Sequence, residues 1–212
     1  MEDNNASNLK KKGFEFYEQE RYEDAIKCYD EAIKIDPLYG NVWSEKGLVL
    51  CTQKKYEDAI KCLDEAIRID PDNDLAWCCK GDVLKNLKKY EEAIKCYDEA
   101  IRLNPSEYPD TWVSKGDSLY YLKKYEEAIK CYDEAIKIDP LDEYSWSWKG
   151  TALHRLKKEN EAIICFDEAI KIDSENILSW IGKGFATSFL KKYEESDDCW
   201  NEALRLDPQN ET

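Results

Sequence analysis

Apolar residues along this chain arrive in paired bursts separated by a short charged turn. The segment from Trp112 to Pro140, WVSKGDSLYYLKKYEEAIKCYDEAIKIDP, shows the pattern fully. Its first burst is Trp112, Gly116, Leu119 and Leu122. Its second is Ala128, Ile129, Tyr132, Ala135, Ile136 and Ile138. Both spacings are those of one face of a helix. Between them, Lys123 and Lys124 suit the negative end of a first helix, and Glu126 and Glu127 the positive end of a second. Asp139-Pro140 then stops the second helix, because proline disfavours helical geometry in the residue before it. The pattern predicts a hairpin of two helices, A and B. Gly116, Ala128 and Ala135 are small enough for close approach, and Trp112 and Tyr132 fill the flanks.

The same unit is written six times. Its marker glycines, Gly13, Gly47, Gly81, Gly116, Gly150 and Gly184, are 34 residues apart, with one step of 35 between Gly81 and Gly116. The units run 6–39, 40–73, 74–107, 109–142, 143–176 and 177–210. Residues 1–5 read as a disordered leader and 211–212 as a tail. Helix B carries a second apolar stripe, Ile129, Tyr132 and Ile136, which its own hairpin cannot cover. A following unit must cover it, so the period predicts a stacked all-α array.

Charge and cysteine usage narrow the function. A formal net charge of -15 and a pI of about 4.6 disfavour nucleic acid, which needs a basic footprint. No stretch has the length and apolarity of a membrane span. The start, MEDNNASNLKKK, lacks the apolar region of a secretory signal, so a cytoplasmic location is expected. Of nine cysteines, Cys28, Cys62, Cys96, Cys131, Cys165 and Cys199 occupy equivalent places. Equivalent points on stacked helices lie roughly 8–10 Å apart, too far for a disulfide. They read as small packing residues, and free thiols suit a reducing compartment. Cys51, Cys78 and Cys79 follow no metal-ligand spacing, and no metal or other cofactor is expected.

The residues also carry a family signature. Trp43, Trp77, Trp112, Trp146 and Trp180 recur before the glycines. Ala25, Ala59, Ala93, Ala128 and Ala162 open the B helices, and Tyr29, Leu63, Tyr97, Tyr132, Phe166 and Trp200 follow. Next come Ala32, Ala66, Ala100, Ala135, Ala169 and Ala203, and Pro37, Pro71, Pro105, Pro140 and Pro208 close the units. This resembles the tetratricopeptide repeat, in wording similar to tandem repeat proteins of archaea. The resemblance implies a right-handed α-solenoid superhelix of six helix-turn-helix hairpins. Its A helices would line a concave groove that grips a peptide or partner helix.

Departures from the family pattern carry expectations of their own. A lysine precedes every marker glycine: Lys12, Lys46, Lys80, Lys115, Lys149 and Lys183. These form either a basic ladder or stems packed between helices whose ammonium groups reach nearby carboxylates. Glu159 and Ser174 break the pattern in the fifth unit, where a looser hairpin is expected. In the sixth, Asp197 replaces an isoleucine of the outer stripe, which reads as a cap. In the first, Leu9 replaces tryptophan beside Lys10, Lys11 and Lys12.

Positions 2, 5, 6, 9, 12 and 13 of each unit share the A-helix face that would line the groove. There the later units place Tyr120, Tyr121, Tyr144, Trp148, His154, Phe185 and Phe189, candidate partner-binding residues because aromatic side chains anchor interfaces. Packing between neighbouring A helices is the other reading of these rings. Asp82 and Asp117 are placed to meet a basic side chain. His154, the only histidine, reads as a lining residue rather than a catalyst. The carboxylate clamp known in the family is poorly matched: of Lys10, Phe14, Glu45, Leu75 and Cys79, only Lys10 fits. No nucleophile–base pairing or glycine-rich phosphate loop appears, so catalysis is not expected. The function expected is a protein-interaction scaffold for a protein or peptide with apolar and basic side chains, without nucleic acid or membrane. The alternatives are a self-associating module, as a homodimer, or the regulatory domain of a larger assembly or enzyme.

Overall fold

A computed structural model describes residues 3–105 and 109–207. All regular structure among them is helical. Two compact units divide the chain after Pro105. The first holds α1 (Asp3–Glu18), α2 (Tyr22–Ile35), α3 (Gly40–Thr52), α4 (Tyr56–Ile69), α5 (Asp74–Asn86) and α6 (Tyr90–Leu103). The second holds α7 (Pro109–Tyr121), α8 (Tyr125–Ile138), α9 (Glu143–Arg155), α10 (Glu159–Ile172), α11 (Ile177–Phe189) and α12 (Tyr193–Leu206). Each unit is three antiparallel hairpins, and within it each hairpin stacks on the next.

The leader expectation needs correction at residues 3–5, which form the start of α1. Ala6, 2% exposed, packs into a core with Ala25, Tyr29 and Val42. That anchor lets the helix run one turn further out. Met1 and Glu2, the inserted residue at 108, Pro208 and the 211–212 tail lie outside the described residues.

Every A–B turn has the same construction. In the first, Glu20 takes a left-handed φ of 58°, its N–H donates to Tyr17 O, and the Arg21 N–H donates to Phe16 O. This is a Schellman cap, normally given to glycine. Lys54, Lys88, Lys123, Lys157 and Lys191 hold the equivalent place at φ 59–61°. At the other end, the Trp43, Trp77, Trp146 and Trp180 indole N–H groups donate to the carbonyls of Pro37, Pro71, Pro140 and Ser174. A carbonyl is available whichever residue carries it, so Ser174 preserves the bond.

The marker glycines admit the B-helix aromatics. A Cβ on Gly116 would lie 2.7 Å from the Tyr132 ring, and one on Gly150 would lie 2.8 Å from Phe166. The second value shows that the fifth hairpin is closed as tightly as the fourth, contrary to the looser hairpin expected. Gly182, which falls outside the repeated pattern, is a packing glycine too. A Cβ there would lie 2.4 Å from Phe166, so that ring is enclosed by Gly150 of its own hairpin and Gly182 of the next.

Four members of the lysine column, Lys46, Lys80, Lys149 and Lys183, staple their hairpin to the preceding one. Nζ to Oδ1 distances are 2.6 Å for Lys46–Asp30, Lys80–Asp64 and Lys149–Asp133, and 2.7 Å for Lys183–Asp167. Each ammonium also lies over the tryptophan of its own helix, 5.2–5.8 Å from the ring centroid. The six repeated cysteines are buried and none is in a disulfide, as packing residues should be.

Candidate functional site

The aromatic residues singled out in the sequence lie on α7, α9 and α11 of the second unit. They form two clusters of different character. In the first, Trp148 is half-buried, with Tyr120 edge-on at 5.2 Å and Tyr144 tilted at 5.8 Å between centroids. Tyr120 also meets Tyr121 at 6.0 Å and Tyr125 at 5.3 Å. Burial of Tyr120 and Trp148 by their neighbours follows from this contact. Tyr144 and Tyr121 stand further out, 40% and 53% exposed. The second cluster centres on Phe185, which stacks on His154 at 6.4 Å and meets Trp200 edge-on at 4.8 Å. Phe185 is nevertheless 53% exposed, and Phe189, one turn on, is 57% exposed.

The two acidic candidates require correction. Asp117 is 7% exposed. Its Oδ1 accepts from the Tyr132 hydroxyl at 3.1 Å and its Oδ2 from the Tyr144 hydroxyl at 3.3 Å. It ties α7 to α8 and α9 rather than offering a charge to a ligand. Burial, and then the Asp117 charge, push the Tyr132 and Tyr144 hydroxyls well above the usual tyrosine range. Asp82 is half-buried and accepts from the Tyr97 hydroxyl at 2.8 Å within its own hairpin. Helical periodicity puts both carboxylates on the right face, but it does not show that a tyrosine on the facing helix is long enough to claim them.

His154 has a different partner. Its Nδ1 lies 2.6 Å from Oε2 of Glu159, which is 4% exposed and stands where five other units have tyrosine. The pair closes the fifth A–B turn. In the first unit, Lys10 pairs with Glu45 at 2.8 Å beside a shallow depression of about 390 Å³ that Phe14 also lines. The one clamp-like lysine therefore has an internal partner.

Sequence reasoning passed over Arg155. It is exposed at the end of α9, and its Nε donates to the Tyr120 hydroxyl at 3.0 Å. Leu178, 40% exposed on α11, was also missed. They sit at positions 13 and 2 of the A-helix face defined in the sequence, so the face pattern alone could have flagged them. Among the described residues, no group of three histidine, cysteine, aspartate or glutamate side chains could hold a metal ion. Nor is any described helix long and apolar enough to cross a membrane.

Stacked helical hairpins presenting aromatic side chains on one helix face define a helical-repeat protein. Family profiles described as TPR repeat match residues 13–53, 47–88 and 116–157, and those described as tetratricopeptide repeat match 75–107 and 144–176. The chain belongs to the tetratricopeptide repeat family. No curated protein sequence matches it. Among solved structures it is similar to YrrB, described as a TPR protein with an unusual peptide-binding site. Identity there is 19%, with a TM-score of 0.75 over 86% of this chain and 93% of that one. It is also similar to pilF of Pseudomonas aeruginosa, at 17% identity and a TM-score of 0.85 over 99% and 95% of the two chains. PilW, described as a widely conserved type IV pilus biogenesis factor, gives 14% and 0.85 over 97% and 95%. At such identities the likeness establishes the fold.

Proposed function

We propose that this protein is a non-enzymatic scaffold that docks a peptide or partner helix on the A-helix face of its second unit. The observation that carries the reading is the set of large rings left in solvent there: Tyr121, Tyr144, Phe185 and Phe189. A hairpin stack has no structural need to leave such rings uncovered, and exposed aromatic area is what interfaces use. Tetratricopeptide repeat proteins are in general protein-interaction scaffolds, which supports the class of partner. The apolar half of the expected partner rests on these rings. The basic half rested on Asp82 and Asp117, and both are engaged by tyrosines. Nine cysteines outside any disulfide suit a reducing compartment, so a cytoplasmic location belongs to the same proposal.

Affinity selection from a random peptide library, followed by titration of the recovered sequences, tests it. Phe185→Ala and Phe189→Ala should each weaken the recovered peptides about tenfold or more, as truncation of an interface anchor does. Unchanged affinities in both variants would remove the proposed face.

A further inference from the structure

Three side chains at the same position of successive units form a row on the second unit: Tyr121, Arg155 and Phe189. All three are exposed, and all stand at the last turn of their A helices. The outer two are rings, 53% and 57% exposed. The middle one is a guanidinium whose Nε is held by the Tyr120 hydroxyl at 3.0 Å. That bond fixes the side chain and leaves the two terminal nitrogens as the donors for an incoming group.

Asp110, exposed in the first turn of α7, stands at the opposite end of its helix from this row, and the charges nearer the row are already used. Asp117 is buried under two tyrosine hydroxyls. Lys149 and Lys183 are engaged by Asp133 and Asp167 at 2.6 and 2.7 Å. His154 is engaged by Glu159. Arg155 thus sets the sign that a partner must match locally. The excess of acidic residues over the whole chain does not cancel this. Solvent-exposed charges are screened beyond roughly 8–10 Å, whereas a guanidinium–carboxylate contact is made at hydrogen-bond distance.

We infer that the row Tyr121–Arg155–Phe189 reads an extended peptide segment in which an acidic residue stands between two large apolar ones. The inference rests on the docking face proposed above and adds the charge and spacing of its partner. Neighbouring A helices lie roughly 8–10 Å apart, and three residues of an extended polyproline II chain, one full turn that brings the side chain back to the same face, span about 9 Å. The matching pattern is therefore apolar-x-x-acidic-x-x-apolar. The two apolar side chains cover the rings of Tyr121 and Phe189, and the carboxylate accepts from Arg155. This reverses the basic partner expected from the sequence.

Two fluorescein-labelled probes, Phe-Ser-Ser-Glu-Ser-Ser-Phe and Phe-Ser-Ser-Lys-Ser-Ser-Phe, test it by fluorescence anisotropy. The glutamate probe should bind the wild type at least tenfold more tightly than the lysine probe, and Arg155→Glu should reverse that order. Retained binding of the lysine probe would show that the variant is folded. Equal binding of the two probes, weakened by Tyr121→Ala and Phe189→Ala, overturns the acidic partner and keeps the docking face. An order unchanged by Arg155→Glu likewise overturns the inference. No measurable binding of either probe overturns both readings.

Discussion

Lys46 reaches back one hairpin to Asp30, with Nζ 2.6 Å from Oδ1, while the same ammonium lies over the Trp43 ring. The same contact recurs at three further junctions, Lys80–Asp64, Lys149–Asp133 and Lys183–Asp167. It explains why a lysine recurs before the marker glycine at these four places. The stem supplies the apolar contact, and the head finds a carboxylate on the preceding B helix. The carboxylate column runs Asp30, Asp64, Asp98, Asp133 and Asp167, then changes to Asn201.

A double-mutant cycle should detect this pairing. Asp30 is about half exposed, so water screens the attraction and the coupling should be small. For Lys46→Met with Asp30→Asn we expect about 0.5–1 kcal/mol, read from urea unfolding. Lys46→Glu should cost more than Lys46→Met, because it sets two carboxylates against each other. A coupling of zero would reduce the staple to simple packing of the lysine stem.

Phe166 provides a steric test. A Cβ at Gly182 would fall 2.4 Å from its ring, inside any tolerable contact, and the ring is already pressed against Gly150 of its own hairpin. Gly182→Ala should destabilise by about 1–3 kcal/mol through overpacking. Gly40→Ala is the control. Its nearest neighbour would be Ile69 at 3.4 Å, ordinary contact, and its effect should stay within about 0.5 kcal/mol. Thermal melts of the two variants side by side distinguish a packing requirement from a general intolerance of substitution at glycine.

The buried thiols link stability to alkaline pH. Burial is the main reason that Cys96 and Cys165 are pushed up to about 11 from an ordinary 9.0. An unfolded chain would release these protons first, so the folded state holds more protons over that interval. Their contribution to stability should be complete below pH 9 and should fall as pH rises toward 11. Urea midpoints measured across this range check the sign. The same burial protects them from reagents. Iodoacetamide at pH 8 should modify the part-exposed Cys78 first and reach Cys96 and Cys165 only on unfolding.

The hairpin, its repeat and the roles of the small residues could be read from spacing alone. They depend on local periodicity, and local periodicity is written directly in the order of residues. The position of the aromatic face was legible for the same reason. Its accessible charge was not. Asp117 lies on the expected face, yet the Tyr132 hydroxyl, fifteen residues away, claims it. Gly182 stands outside the repeated column, and its packing role comes from Phe166 of the preceding hairpin. The A–B turns were legible as turns, though the left-handed backbone of Lys54, Lys88, Lys123, Lys157 and Lys191 was not, since lysine has no preference for it.

Residue order by itself therefore determined that this chain folds as repeated helical hairpins, and which column of side chains each position joins. Helix formation and the segregation of apolar faces act over a few residues, so they repeat wherever the pattern repeats. Tertiary structure alone decided which member of one column meets which member of another. Those meetings join residues on different helices, and side-chain reach and orientation select among several carboxylates of equal charge. That selection consumed Asp117, stapled Lys46 to Asp30, and left Arg155 in water between Tyr121 and Phe189.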